Sequence, residues 1–233
     1  MILYVNGDSH TAAAEAANPY AFAEDDADLA YLGRTPHPAN LAVSWGRRLS
    51  ETLKAGFHCA AESASSNYRI LRTTRDWLRQ QVSYNDILVV IQWSTWEREE
   101  WLHDSVFYQV GASGIDHVPQ ALKEKYRGFV IGTDWKQKTE QAHKEIWAFH
   151  QELDDQGIKH IFFNGNNDFS LVKDHLDWGL NYIGPYDPKQ TYDAIIRAQG
   201  IDTVAPNSWH FGPDGHAVFH RFLLNHIMSN RLI

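Results

Sequence analysis

The chain is short of cysteine, of positive charge and of long apolar runs. Its single cysteine, Cys59, cannot close an internal disulfide, and no Asn-x-Ser/Thr sequon is present, so the sequence fits a reducing compartment. Lys and Arg number 21 against 29 Asp and Glu, a formal net charge of −8. No basic stripe is available to replace phosphate counterions, so nucleic acid is not an expected partner. The longest aliphatic run, Ile87 to Ile91, falls far short of the ~20 residues that cross a bilayer, so no membrane partner is expected. Met1 to Val5 carries neither a basic cluster nor a small-residue cleavage site, which points to a cytoplasmic location without a secretory leader. What is there is ordinary for a soluble globular protein: 43% apolar and 21% charged residues over 233 positions, enough for one large α/β domain. Nine Trp, ten Tyr and thirteen His are many for this length, and those in polar stretches are candidates for a binding surface.

Strand-like and helix-like segments alternate. Residues 1–6 form a first strand ending in Asn6-Gly7-Asp8-Ser9, and the Ala-rich stretch 11–17 predicts a short helix before Asn18-Pro19. Residues 18–40, acidic at 24–28 and carrying Pro36 and Pro38, predict a long loop insertion, a common form of lid. Leu41, Trp45, Leu49 and Leu53 recur every four residues, the stripe of one helix. Further strands are expected at 57–61, 87–91, 158–163 and 201–204, with helices at 66–81, 135–153, 192–196 and 213–230 and an irregular insertion at about 93–132. Arg69, Arg72, Arg75 and Arg79, at helical spacing, predict a solvated face, and Cys59 an inert core position. This alternation implies a parallel sheet with helices on both faces and a crevice beyond the strands' carboxyl ends, at 7–10, 62–67, 92–97, 164–168 and 205–212.

Two of those ends hold nucleophile-and-base chemistry. Ser9, after strand one, is well placed as a nucleophile, since free N–H groups of a following helix favour a developing anion; as a bare turn it would only cap that helix. His210, in the loop before the last helix, can act as general base, or be a plain surface histidine. Asp214 and His216 read as first-turn helix residues.

Gly7-Asp8-Ser9 together with Asn207-Ser-Trp-His210-Phe-Gly-Pro-Asp-Gly215-His216 resembles the SGNH or GDSL hydrolase superfamily, in its first block and in its last, Asp-x-x-His-Pro-x-x-x-Gly-His. The resemblance implies a three-layer α/β/α, flavodoxin-like fold with a parallel five-stranded sheet over nearly the whole of 1–233. It also implies ester hydrolysis with Ser9 as nucleophile and His210 as base, Asp8 and His10 in support, and no cofactor or metal. Asn207 stands where the family has its orienting Asp; it can hold the imidazole but not stabilise its charge, and the equivalent loss in serine proteases costs ~10⁴ in turnover. The family's glycine after strand two is missing from Glu62-Ser63-Ala64-Ser65-Ser66-Asn67. Trp96 occupies the position of its oxyanion Asn. The expected oxyanion donors are therefore Ser9 N–H with Ser66, Asn67 and Trp96, or Asn167 if the Gly165-Asn166-Asn167-Asp168 loop takes that part. The expected partner is a small-molecule or carbohydrate ester; oligomeric state is left open.

Two rivals stand beside this reading. A catalytically weak or inactive binding protein would use Trp93, Trp96, Trp101, Phe107 and Tyr108 as an aromatic platform, which could equally be a satellite core. A metal-dependent phosphoesterase would use Asp8-x-His10 and the 165–168 loop, but it needs further ligands that the sequence lacks.

Overall fold

The computed structural model describes residues 1–23, 34–112 and 114–233; the acidic stretch 24–28 lies outside them. Four strands, β1 (Ile2–Asn6), β2 (Gly56–Cys59), β3 (Ile87–Trp93) and, late in the chain, β6 (Lys159–Asn164), pair in parallel in the order β2-β1-β3-β6. This is the flavodoxin-like order short of its last strand. Side chains alternate across the sheet as the pleat requires. Tyr4, Val89, Ile91 and Phe162 pack on one face with α3 (Asn67–Leu78) and α5 (Trp135–Asp155). Leu3, Val5, Val90, Ile161 and Phe163 pack on the other with α2 (Trp45–Thr52), α6 (Tyr192–Arg197) and α7 (Pro213–Asn230).

Four expectations are corrected. The segment 201–204 is no fifth strand; only Thr203 bridges, antiparallel, to Phe211. Its place beside β6 goes to 181–183, where Phe162 N–H donates to Asn181 O (2.7 Å) and Ile183 N–H to Phe162 O (2.9 Å), with Tyr182 and Ile183 supplying the buried side chains that polar Asp202-Thr203 lacks. The helix predicted over 41–53 is two, α1 (Pro38–Val43) and α2, broken at Ser44, whose extended backbone lets Oγ accept from Arg47 N–H. The stretch expected to be irregular contains an antiparallel hairpin, β4 (Glu99–His103) with β5 (Val106–Val110), and α4 (Lys123–Gly132).

The fourth correction shapes the site. Residues 11–17 form successive turns, not a helix. Asp8 takes the local N–H groups instead: its carbonyl accepts from Thr11 and Ala12, and its carboxylate from His10. Ala13 and Glu15 sit in the left-handed region at φ 55° and 62°. The alanines are there for smallness, since Ala12, Ala13 and Ala14 are buried.

Candidate active site

The loops after β1, β2 and β3 are clasped together at the carboxyl edge. A Cβ at Gly7 would collide with the Thr11 side chain, so that loop closes onto β3 only as glycine, and one at Gly165 would displace the Gln92 amide. Asn67 binds the Ser94 main chain in both directions, accepting at 2.8 Å and donating at 3.2 Å. Asp8 is buried beneath Ser9, and its carboxylate accepts from Ser94 Oγ (2.9 Å), Arg98 Nη1 (3.1 Å) and His10 N–H (3.0 Å). Burial pushes this carboxyl up, but His10 and Arg98 outweigh it and hold the group below the usual range, hence ionised. Burial lowers the His10 imidazole in turn, against the Asp8 carboxylate, which raises it.

Ser9 and His210, 201 positions apart, line one cavity of about 560 Å³. No hydrogen bond joins the Ser9 hydroxyl to His210 among the described residues; catalytic pairs often tighten only around substrate. His210 Nδ1 lies 3.1 Å from Glu15 Oε2, at ion-pair distance though not aligned as a hydrogen bond. Ser208 Oγ donates to the same oxygen at 2.7 Å and accepts from His210 N–H at 3.0 Å, so the three groups form one unit. Burial raises the Glu15 carboxyl, but Ser208 and His210 bring it below its ordinary value, so it is ionised at neutral pH. The group at His210 Nδ1 is thus Glu15, delivered by the left-handed turns after Ser9. Asn207 is exposed, and no hydrogen bond joins it to His210 among the described residues.

The expected oxyanion donors divide. Ser66 N–H is taken by Gln109 Oε1 (2.9 Å) and its Oγ caps α3, while Asn67 is occupied by Ser94. Trp96 is stacked on Phe169 in the core, at 4.6 Å between ring centres, and does not line the cavity. Asn167 does line it, with Oδ1 unpartnered. So does Ala64, at φ 65°, in the loop where the sequence lacks a glycine. A left-handed residue there is what a glycine would have signalled.

The cavity wall also holds Ser63, Glu97 and Arg98, with exposed Trp135 and Trp209. Ser63 Oγ and Glu97 Oε2 are buried without partners. Glu15 was missed because a lone acid in an alanine run reads as the wet side of a helix; its being the single charge between 11 and 17 was the available signal. The aromatic platform is not present as such: Trp93, Trp96 and Trp101 are buried, and Phe107 lies under the Arg72 guanidinium. The phosphoesterase arrangement also fails on chemistry, because a guanidinium already occupies the Asp8 carboxylate.

A model of a family of unknown function (DUF6071) matches residues 34–147. Comparison with curated proteins gives no match. Among solved structures, the chain is similar to a lipolytic protein of the G-D-S-L family from Veillonella parvula, at 11% identity and TM-score 0.47 over 97% of each chain. It is also similar to an acetyl xylan esterase, Est2A, from Butyrivibrio proteoclasticus, at 13% identity and TM-score 0.46 over 98% of this chain and 63% of that one. A G-D-S-L family protein from Desulfitobacterium hafniense gives 11% and 0.46 over the whole of both chains. Among the described residues, no helix is long and apolar enough to cross a membrane.

Proposed function

We propose that the chain is a serine hydrolase of the esterase type. The observation that carries this reading is the convergence of Ser9 and His210 on one cavity, with an ionised carboxylate at the far nitrogen of His210. Ser9 Oγ attacks the ester carbonyl while His210 Nε2 takes its proton. The tetrahedral oxyanion is met by the backbone N–H groups of Ser9 and Ala64 and by the Asn167 amide. His210 returns the proton to the departing alcohol, leaving an acyl group on Ser9. Water, deprotonated by His210, then attacks the acyl carbonyl; the bond to Ser9 Oγ breaks, His210 returns the proton to that oxygen, and the acid leaves. Glu15 fixes the imidazole, the part expected of Asn207, and also stabilises its charged form, which an amide cannot do.

The substrate favoured by the wall is a small ester of a polyhydroxylated, sugar-like molecule. Glu97 Oε2, Asn167 Oδ1 and Ser63 Oγ are acceptors awaiting donors, and hydroxyl groups supply them. Trp209, 71% exposed, and Trp135, 40% exposed, offer ring faces at the mouth. The test is labelling with a fluorophosphonate probe. Wild type should label and Ser9→Ala should not; a folded wild type that stays unlabelled removes the proposal.

A further inference from the structure

At the opposite, amino edge of the sheet, two imidazoles and a carboxylate meet. His150 and Asp154 lie one turn apart near the end of α5, and His160 is the second residue of β6. Both rings are buried, while Asp154 is half exposed. Asp154 and His160 line a cavity of about 230 Å³ together with Asn181 and Leu232.

The nitrogen lone pairs here do not balance. His160 Nδ1 stands 2.8 Å from Ile158 O and must carry the hydrogen, so His160 Nε2 presents a lone pair. That nitrogen is 2.8 Å from His150 Nδ1, and the other nitrogen of His150 is 3.3 Å from Asp154 Oδ2. A neutral His150 has one N–H and cannot serve both neighbours. With the hydrogen on Nδ1, its Nε2 lone pair faces a carboxylate; with it on Nε2, two imidazole lone pairs face each other. One added cation resolves the conflict. Asp177 acts on His150 as a second acid, and Asn181 Nδ2 donates to Asp154 Oδ1 at 3.2 Å; Lys159 lines the same cavity, but among the described residues no ion pair joins it to Asp154.

We propose that His150, His160 and Asp154 form a binding site for a divalent transition ion of the zinc type. Two imidazole nitrogens with one carboxylate are a donor set that suits zinc, and nitrogens each ~2.0–2.1 Å from a tetrahedral ion stand about 3.3–3.4 Å apart, so the 2.8 Å between His150 Nδ1 and His160 Nε2 widens by about half an ångström to admit it. One donor atom from each of the three residues lies within 4.8 Å of the others; Asp154 stands at His150 Nε2, the far nitrogen of that ring, and its half-exposed side chain must rotate to reach an ion at Nδ1. The hydrogen bond from His160 to Ile158 O fixes the tautomer that presents Nε2, as carbonyl partners do for ligating histidines elsewhere. The cavity borders two of the three ligands, Asp154 and His160, and holds space for a water as fourth ligand. None of this depends on Ser9 or on the esterase reading.

The test uses the full chain stripped with a chelator. Titration with Zn²⁺ by calorimetry, and with Co²⁺ followed by visible absorption, should show one equivalent bound through imidazole nitrogen. Asp154→Asn, an exposed change that leaves the fold intact by circular dichroism, should weaken zinc by about tenfold or more, and His150→Gln by more still. Folded wild type that binds no zinc at sub-millimolar concentration overturns the proposal, whether or not a proton then sits on His150. Zinc affinity equal in wild type, Asp154→Asn and His150→Gln overturns it as well, because the ion then rests on other histidines.

Discussion

The two edges of the sheet use imidazole in opposite ways. At the carboxyl edge His210 opens on a cavity and has the ionised Glu15 at one nitrogen, leaving the other for a substrate proton. At the amino edge His150 and His160 are closed against each other, with more acceptors than hydrogens between them. His216, six residues beyond His210, is a third case. It is buried, its Nδ1 accepts from Trp45 N–H at 3.3 Å, and burial pushes its pKa down to about 3, so it stays neutral. The ring is the same in all three places. What differs is how many lone pairs and charges face it and whether water can reach it, and in the proposals above those decide whether it moves a proton, holds a cation or caps a helix.

The strongest way to break this comparison is to remove the carboxyl-edge pair. Ser9→Ala and His210→Ala should each lower ester turnover by ~10⁴-fold or more and abolish probe labelling, with the fold unchanged; their double variant should be little worse than either alone, because they act as a unit. A double variant whose losses multiply would mean that the two residues do not share a step. Next in size is Glu15→Gln, which keeps the shape but removes the charge behind His210. A fall of ~10²–10⁴ in kcat with KM nearly constant is expected, by analogy with losing the acid of a serine triad. If kcat is unmoved, Glu15 is a surface acid and the orienting group lies elsewhere.

The buried sheet was legible from sequence because a parallel strand covered on both faces is apolar throughout, as Ile87 to Ile91 is, and because the pleat sorts Leu3 and Val5 from Tyr4 without help from distant residues. That Ser9 and His210 would meet at one cavity was legible because turn formers and strand ends mark which segments gather beyond the sheet. Glu15 was not, because its position depends on Asp8 capturing the N–H groups that would have started a helix, a tertiary choice made jointly with Ser94 and Arg98. The arginine stripe misled for a related reason. Arg69 reaches the buried Glu62 at 2.6 Å, Arg72 grips Glu100 on the hairpin, and Arg75 grips Glu152 on α5, so three of the four arginines clamp α3 to its surroundings, while Arg79, 72% exposed, holds the solvated place expected of it. Ser66 and Asn67 misled because spacing places them at the right strand end but says nothing of Gln109 and Ser94, which use up their hydrogen bonds.

The neutral His216 makes a smaller, pH-dependent difference. Its folded pKa, about 3, lies below the ordinary 6.5, so under about pH 6.5 the unfolded chain binds a proton that the native chain does not. Stability therefore falls as pH drops from about 6.5 toward 3, with a limiting slope of ~1.4 kcal/mol per pH unit from this group, and the full contribution is present above that window. The depressed Glu15 acts lower: its contribution is present above about 4.5 and is lost as pH falls through its folded value. Arg48, His10 and His210 all push the His216 pKa further down. In His216→Asn, whose Oδ1 can accept from Trp45 N–H in place of Nδ1, urea midpoints between pH 6.5 and 5 should lose much of this slope. An unchanged slope would place the acid sensitivity at another histidine.

The smallest effects sharpen the cavity's own anatomy. Trp209 and Asn207 are neighbours in one exposed loop, yet only Trp209 lines the cavity. Neither holds the fold, so Trp209→Ala and Asn207→Ala should each leave stability within about 0.5 kcal/mol of wild type. If a sugar ring stacks on the indole, Trp209→Ala should raise KM several-fold for an acetylated sugar while leaving a small alkyl acetate untouched, because the alkyl ester has no ring to offer that face. Asn207→Ala should leave both substrates within about twofold, since Glu15 already stands at His210 Nδ1. An equal KM rise for both esters in Trp209→Ala would assign the indole to excluding water from the mouth, and a large kcat loss in Asn207→Ala would return the orienting part to the amide, with Glu15 left to anchor Ser208.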